Sequence, residues 1–399
     1  MKIVVFNEDI TIQQYGKTIE LKKDNKYLIA DFIEAYTRDK EKQCNRRLFR
    51  RCVDVYSQFG AYKGQDLTNK NLLIVRTGGI GDIIFLTPFA KHLKEKYPTA
   101  NIFIACAPAF TELYNELEFL TACVPMPIDL KQVGDCIGYE ISAANSYFIS
   151  FEGLVENSKE ALSVNIYDLH RKQFNLPEFE YKPEIAIKYL KRKHKAIIPT
   201  FLTEKLHIAF QFSSSSYLRS WKPEYIIQFL SNWDIKGTIF YIFDHPYKDK
   251  YIKEKLSKVE LQEGVEIKNL VGTDLEESIV LLDRMDLIIG PDSSFMHLAA
   301  CLKVPMVGLF GAFHTDLRLK YYQNALGINA MSDCEFAKTD YKVCGEHGQS
   351  CSKAMQLNRI FAPCMDLLTS GYVRGIIYKY LKDNGVIDED LILNKIASN

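Results

Sequence analysis

One glycine-rich segment of the sequence combines a flexible turn with a carboxylate. Residues Arg76 to Asp82 read Arg-Thr-Gly-Gly-Ile-Gly-Asp, between an apolar run and an amphipathic stretch. This setting predicts a strand-to-helix turn, in which Gly79 and Gly81 let the backbone approach a ligand and Asp82 lies in the opening turn of the helix. Ile84 replaces the third glycine of a dinucleotide fingerprint. The alternative is a tight turn whose aspartate only favours the helix N-terminus.

A second candidate is a run of four serines after another apolar stretch, in the segment Gln211 to Glu224. Hydroxyl groups and a guanidinium just beyond the end of a strand suit a phosphate, because arginine offers planar, charge-assisted donors. We expect Ser214, Ser215 and Arg219 to be the residues involved. An ordinary loop without a ligand is the alternative.

The third candidate is the segment Asp286 to Gly311, in which a buried strand is predicted to end before a helix. A side chain that caps this helix would leave its first N–H groups facing an anion such as a pyrophosphate. The histidine one turn into the helix could contact a phosphate or ribose, or could be a core residue with its hydrogen bonds satisfied. The candidate residues are Gly290, Asp292, Ser293, Ser294 and His297, with Asp292 or Ser293 as the cap.

The elements that must position these residues alternate between apolar runs and amphipathic stretches. The alternation starts at Asn71 and restarts after about residue 200, which predicts an α/β protein with two doubly wound, Rossmann-like parallel domains. Two such domains in tandem are expected to face a cleft at the carboxyl ends of their strands. We predict domains at 71–200 and 201–370, followed by a helical tail at 371–399.

The first 70 residues follow a different pattern. Short strands are predicted around Ile3 to Val5 and Thr18 to Leu21, followed by a helix from about Tyr27 to Tyr56. Four arginines, Arg46, Arg47, Arg50 and Arg51, lie on that predicted helix. The segment is predicted to be an accessory α+β extension, whose basic face is either solvated or a contact for nucleic acid.

The overall composition favours a small ligand over a polyanion. The 399 residues contain 50 Lys and Arg and 50 Asp and Glu, so the chain has no global positive field. The sequence contains neither a signal-peptide pattern nor an apolar run long enough to span a bilayer. We therefore expect a cytoplasmic protein without a membrane span.

Three blocks of the sequence resemble the signature blocks of glycosyltransferase family 9, the ADP-heptose-using heptosyltransferases. They are GGIGDIIFLTPFAKHLKEKYP, SSSSYLRSWKPE and GPDSSFMHLAACLKVPMVGLFG, and the resemblance extends from about Asn71 to Val373. It implies the GT-B fold and an inverting transfer that requires no metal or other cofactor. It also implies a nucleotide-diphosphate sugar donor, ADP-heptose, and an acceptor hydroxyl on a protein or on lipopolysaccharide.

The resemblance also implies roles for individual residues. Asp82 corresponds to the catalytic base, and Ser214, Ser215 and Arg219 correspond to ligands of the donor phosphates, with Arg219 where the family commonly has lysine. Asp292, Ser293 and His297 correspond to further nucleotide and sugar contacts, and Thr273 to a contact on the adenosine side. The acidic residue expected near the ribose, around Tyr247 or Lys248, has no clear counterpart, and Asp244 and Asp249 are the two alternatives.

The extension resembles the layout of the heptosyltransferases that modify bacterial autotransporter proteins. Those relatives carry a four-cysteine iron-binding finger near the C-terminus. The corresponding cysteines here are Cys334, Cys344, Cys351 and Cys364, which would hold a structural Zn or Fe. Their spacing differs from the paired CxxC of common zinc sites, so ordinary reduced thiols are the alternative.

Other functions and assemblies stay open at the level of sequence. The extension could mediate homo-oligomer formation. Two other functions are a nucleotide-binding scaffold without turnover, and a transferase of another nucleotide sugar that acts on nucleic acid.

Overall fold

The computed structural model describes residues 1–14, 17–44, 47–197, 205–311, 313–330, 334 and 350–387. The chain divides into two compact units, one formed by Met1–Leu154 with His170–Tyr189 and the other by Val155–Leu169 with Leu190–Asn399. Each unit is built on its own parallel sheet. The predicted α/β class with two Rossmann-like sheets is confirmed, and the boundaries at residues 70, 200 and 370 stay predictions.

The first unit begins with the predicted α+β extension, which is confirmed. In the antiparallel sheet of the extension, the first strand of the chain pairs with two later strands. A separate two-stranded hairpin follows the first strand in the sequence. The elements are β1 (Lys2–Phe6), β2 (Ile10–Gln14), β3 (Lys17–Leu21), β4 (Lys26–Ile29), α1 (Asp31–Cys44) and β5 (Phe49–Asp54).

The helix predicted from Tyr27 to Tyr56 is wrong at both ends. Among the described residues of this range only α1 is α-helical, because the flanking segments pair with β1 as strands β4 and β5, and such pairing overrides a local helical pattern. Arg50 and Arg51 therefore lie exposed on β5, and Arg50 pairs with Asp24 at 2.6 Å. Arg46 lies outside the described residues. The basic helix that the nucleic-acid alternative required is absent from the described part of the extension.

A five-stranded parallel sheet forms the centre of the first unit. Its strand order is β6-β11-β7-β8-β9, and every neighbouring pair is parallel. All five residues of β7 are buried, as expected for a strand covered on both faces. The strands are β6 (Gly60–Ala61), β7 (Asn71–Val75), β8 (Asn101–Cys106), β9 (Ala122–Pro125) and β11 (Ser146–Ser150), and β10 (Ile128–Asp129) pairs with β4 of the extension.

Short helices connect and follow these strands. They are α2 (Ile80–Ile84), α3 (Thr87–Lys96), α4 (Leu130–Ile137), α5 (Leu154–Asn157), α6 (Ile166–Phe174) and α7 (Ile187–Lys193). The extension and the parallel sheet share one hydrophobic core, in which Ile3 and Val4 belong to the same cluster as Leu73, Val75 and Phe103. The extension is therefore an integral part of the first unit.

The second unit contains a six-stranded parallel sheet with the order β14-β13-β12-β15-β16-β17. Counted from its first strand, this order is 3-2-1-4-5-6, the order of dinucleotide-binding folds. The predicted strands are confirmed, and β17 is an additional one. The strands are β12 (Leu206–Gln211), β13 (Thr238–Phe243), β14 (Glu266–Asn269), β15 (Leu287–Pro291), β16 (Met306–Phe310) and β17 (Ala325–Asn329).

The helices that follow β12 in the described part of the second unit are α8 (Pro223–Ser231), α9 (Asp249–Leu256), α10 (Leu275–Leu282), α11 (Ser294–Leu302), α12 (Ser352–Gln356) and α13 (Ser370–Asp383). The first four begin within one residue of the predicted positions, and α13 begins one residue before the predicted tail, whereas α12 was not predicted. The predicted helical tail is represented by α13, and residues 388–399 lie outside the described part. Within the described residues, no helix is long and apolar enough to cross a membrane.

Candidate active-site residues

In the first unit, the candidate base lies where the strand order reverses. Strand β7 has β8 on one side and β11 on the other, and ligands of open parallel sheets bind beyond the carboxyl ends of strands at such a point. The glycine-rich turn follows β7, and Glu152 lies two residues after the end of β11. The topology therefore brings Asp82 and Glu152 to the same edge of the sheet.

Arg76 connects these two carboxylates. Its side chain is 5% exposed, and its Nη2 lies 3.1 Å from Oδ1 of Asp82. Its Nη1 lies 3.9 Å from Oε2 of Glu152 and donates to the carbonyl of Phe151 at 3.2 Å. The backbone N–H of Thr77 also donates to Glu152. A buried cation is thus held by the turn after β7 and the turn after β11.

Asp82 is the more exposed member of this group, with 29% of its side chain accessible. It occupies the first turn of α2, and its Oδ2 accepts the N–H of Gly79 at 2.8 Å. Gly78 is required here, since an added methyl would overlap Oδ2 of Asp82 and lie 2.9 Å from Nε of Arg76. Gly81 is buried within α2. The loop therefore presents one oriented carboxylate at the sheet edge, and its role as a base stays a prediction.

In the second unit, the strand order reverses between β12 and β15, and the serine loop and the Asp292 segment follow these two strands. Arg219 joins the two segments, because its Nη2 donates to Ser215 Oγ at 2.7 Å and its Nη1 lies 3.4 Å from Asp292 Oδ2. The Nε of Arg219 is buried and has no hydrogen-bond partner among the described residues. The site thus contains a guanidinium with an unused donor, a feature suited to an anionic ligand.

A buried lysine holds the serine loop in place through hydrogen bonds. Lys248 Nζ donates to Ser213 Oγ at 2.6 Å and to the carbonyl of Ser214 at 3.0 Å, and it lies 3.4 Å from Asp244. Asp244 in turn accepts the hydroxyl of Ser213 at 2.6 Å. Asp249 is engaged elsewhere, with Lys253 at 2.6 Å. Asp244 and Asp249 are the two alternatives for the acidic residue near the ribose. The side chain of Asp244 is 3% exposed and paired with Lys248, and that of Asp249 is paired with Lys253, so both carboxylates already have partners.

Helix α11 begins directly after Ser293, as predicted, but the predicted side-chain cap is wrong. Ser293 occupies the N-cap position without a capping hydrogen bond, because its hydroxyl donates to Gln211 Oε1 at the end of β12. Gly290 lies beside the same glutamine, whose Cβ would be 3.1 Å from an added methyl. Neither Ser293 nor Asp292 caps the helix that starts at Ser294, since Asp292 faces Arg219.

His297 is buried, with 5% of its surface exposed, and its Nδ1 lies 2.8 Å from the hydroxyl of Tyr322. That hydroxyl also lies 3.2 Å from the hydroxyl of Tyr167. Burial raises the pKa of Tyr322, so its hydroxyl stays protonated. These contacts fit the core-residue alternative for His297, and its ligand role stays a prediction. Thr273 donates to the carbonyl of Leu270 at 2.8 Å, at the turn before α10.

The four cysteines of the predicted metal site are only partly described. Cys344 lies outside the described residues. Cys351 precedes α12 and accepts the N–H of Ala354 through its sulfur at 3.4 Å, while Cys364 packs against the core of the second unit. Within the described residues, no group of three or more His, Cys, Asp or Glu is arranged to hold a metal. The metal site stays a prediction.

Sequence reasoning missed three residues that organise these sites. Arg76 begins the glycine-rich motif, so its position was a signal, whereas Glu152 could be found only from the sheet order. Lys248 lies in the range where the family resemblance implies an acidic residue. The lack of a clear match there was a hint that the hydrogen bonds beneath the serine loop differ from those of the family.

Comparisons with known proteins give consistent results. Residues 126–345, more than half of the chain, match the model of glycosyltransferase family 9 (heptosyltransferase). This range contains the serine loop and the Asp292 segment, and it begins after Asp82. No curated protein matches the sequence.

Solved structures share the fold. The ADP-heptose lipopolysaccharide heptosyltransferase II of E. coli is 15% identical, with a TM-score of 0.55, over 78% of this chain and 98% of its own. A family 9 glycosyltransferase of Veillonella parvula is 15% identical, with a TM-score of 0.60, over 80% and 99%. TibC of enterotoxigenic E. coli, an iron-containing dodecameric heptosyltransferase solved with ADP-D-β-D-heptose, is 13% identical, with a TM-score of 0.56, over 95% and 91%.

Proposed function

Because this chain belongs to glycosyltransferase family 9, the heptosyltransferase family, we propose that it transfers heptose from ADP-heptose to an acceptor hydroxyl, with inversion at the anomeric carbon. The membership itself makes the chain a glycosyltransferase that uses a nucleotide-sugar donor. The sugar, the nucleotide, the stereochemistry and the roles of individual residues are the parts proposed here.

Asp82 is proposed to remove the proton of the acceptor hydroxyl. A base must be exposed enough to reach the substrate and oriented before the substrate arrives, and Asp82 meets both conditions through its accessible carboxylate and its bond from Gly79. As the proton leaves, the acceptor oxygen attacks the anomeric carbon and the bond to the diphosphate breaks. The proton ends on Asp82, and the electron pair leaves with the nucleotide.

Arg219 is proposed to stabilise the departing diphosphate. Negative charge grows on the leaving oxygen in the transition state, and preorganised donors lower the barrier at that point. The single observation that carries the proposal is the geometry of Arg219, which is held between Ser215 and Asp292 and keeps a buried Nε without a described partner. The N-terminal turn of α11 would add backbone N–H donors.

A thermal-shift comparison of nucleotide sugars tests the donor. A ligand at 100 times its dissociation constant stabilises the folded state by about 2.7 kcal/mol. We expect ADP-heptose and ADP to raise the melting temperature, and UDP-, GDP- and CMP-sugars at the same concentration to leave it unchanged. A preference for another nucleotide would contradict the proposed donor while leaving the transferase activity in place.

The stereochemistry and the metal requirement are tested on the product and on the rate. Proton NMR of the product should show the anomeric configuration opposite to that of the donor. Initial rates should survive brief treatment with EDTA, because Arg219 and hydroxyl groups are proposed to stabilise the diphosphate. A rate that EDTA abolishes and Mg²⁺ restores would contradict this part of the proposal.

We also propose that the chain self-associates through its N-terminal extension and that it uses a protein acceptor. The support is the similarity to TibC, a dodecamer, which covers 95% of this chain in its complex with ADP-D-β-D-heptose and 79% in a second structure. Light scattering of the purified full chain tests assembly, with Tyr36→Glu, at an exposed position of the extension, as the comparison. Transfer to a surface protein fragment rather than to lipopolysaccharide core oligosaccharide tests the acceptor.

A further inference from the structure

The first unit contains an ion-pair arrangement that the proposed reaction does not yet use. Arg76 lies between two carboxylates, 3.1 Å from Asp82 and 3.9 Å from Glu152, and its side chain is 5% exposed. A buried guanidinium needs compensating charge, and a single partner would meet that need. The second carboxylate therefore requires an explanation.

The proposed chemistry supplies a reason for it. When Asp82 accepts a proton it loses its charge, and one of the two carboxylate charges beside the buried Arg76 is then removed. Glu152 is the second carboxylate that lies beside Arg76 in that state. The N–H of Thr77 fixes Glu152 in place, so the second counter-ion is present before and after the transfer.

We infer that Arg76 and Glu152 act together as positioning residues for Asp82. Arg76 holds the carboxylate of Asp82 in its orientation in the resting state, and Glu152 provides a second carboxylate beside Arg76 while Asp82 carries the acceptor proton. The inference rests on the proposed role of Asp82 as the base, and neither residue is given contact with the substrate.

The two residues should affect the pH dependence of transfer in opposite directions. Removing the positive charge in Arg76→Gln makes protonation of Asp82 easier, so the acid-side midpoint of the kcat profile should rise by about one pH unit or more. In Glu152→Gln the negative charge of residue 152 is removed, and of the two carboxylates only Asp82 still pairs with Arg76. The acid-side midpoint should then fall by roughly half a unit, and the plateau rate should drop about threefold to tenfold because the base is weaker.

The experiment measures ADP release from ADP-heptose between pH 5 and 9, with the full chain and the acceptor that the wild-type protein glycosylates. Arg76→Lys keeps the charge and should restore the wild-type midpoint. Thermal melting of each variant reports the structural cost separately. If Arg76→Gln does not fold, the pH profile of Glu152→Gln tests the inference by itself, because the glutamine can still accept the N–H of Thr77. A midpoint that falls then supports the inference, and a midpoint that stays or rises overturns it.

Midpoints that move in opposite directions support the inference. Midpoints that do not move, or that move together, overturn it, even where the melting temperature falls. Asp82→Asn separates this result from the proposed function. If that variant is inactive and the midpoints stay in place, only the positioning inference fails, whereas an active Asp82→Asn removes the base itself.

Discussion

The two parallel sheets carry similar ion pairs with opposite exposure. In the first unit the arginine is buried, with Arg76 5% exposed, and Asp82 is the accessible partner at 29%. In the second unit the aspartate is buried, with Asp292 8% exposed, and Arg219 is the accessible partner at 21%. Both pairs lie where the strand order of a sheet reverses.

This difference fits the separate roles proposed for the two pairs. A buried cation that supports an exposed carboxylate suits proton removal, and a buried carboxylate that supports an exposed guanidinium suits the binding of an anion. In the proposed roles, the accessible member of each pair is the one that meets the substrate. The predictions below test each side of the comparison.

The largest effect is expected from Asp82→Asn. The amide keeps the shape of the side chain and loses the charge that accepts a proton, so kcat should fall by about 10²- to 10⁴-fold. Steady-state release of ADP measures it. Glu178→Gln is a suitable control, because Glu178 is an exposed carboxylate whose recorded partner, Arg171, is 3.8 Å away. Retained turnover in Asp82→Asn would remove this residue from the base role.

A smaller but still large effect is expected from Gly78→Ala, which leaves Asp82 unchanged. The added methyl would overlap Oδ2 of the aspartate and displace it, and a misplacement of about 1 Å costs roughly 10²-fold in rate. At Gly79 the same methyl would lie 3.7 Å from that atom, which is an ordinary contact, so Gly79→Ala should be milder. Equal rates for the two variants would contradict the argument from orientation.

On the other side of the comparison, Arg219→Ala should weaken donor binding and turnover together. The loss of charge-assisted hydrogen bonds corresponds to about 1.5 to 3 kcal/mol, or roughly 10- to 150-fold in affinity for ADP-heptose. Arg219→Lys should retain partial activity, because the charge remains and the planar geometry is lost. Unchanged kinetics in the alanine variant would exclude Arg219 from the donor site.

The smallest effect on catalysis is expected at the cysteines. If Cys334, Cys344, Cys351 and Cys364 share one metal, elemental analysis should find about one Zn or Fe per chain, and a serine at any of the four should lower both metal content and melting temperature. Cys301, on α11, is the matched control and should leave the metal in place. Metal-free protein of normal stability would leave the four cysteines as reduced thiols.

Local patterns were sufficient to predict the parallel sheets. Strands such as β7 and β13 are continuous apolar runs buried on both faces, and each is followed by a helix with its own periodicity. The extension was harder, because β4 and β5 are strands only through their pairing with β1, which is distant in sequence. The sequence therefore suggested one long helix there.

Only some of the side chains that the structure brings together could be identified from the sequence, and their roles stay predictions. The residues within one motif, such as Asp82 and Arg219, were identifiable from type and spacing. Their partners were not, because Glu152 is brought to Arg76 by strand order, and Ser293 donates to Gln211 across neighbouring strands rather than capping its own helix. Contacts between adjacent strands determine which partner each side chain takes, and a single sequence does not record them.

The contrast between the two ion pairs is tested most directly by equilibrium binding. Isothermal titration calorimetry with ADP should give Asp82→Asn an affinity within a few fold of wild type, and Arg219→Ala an affinity roughly 10- to 150-fold weaker. That result would assign the accessible guanidinium to the diphosphate and the accessible carboxylate to another step. Equal weakening in both variants, or a loss only in Asp82→Asn, would contradict the division of labour between the two pairs.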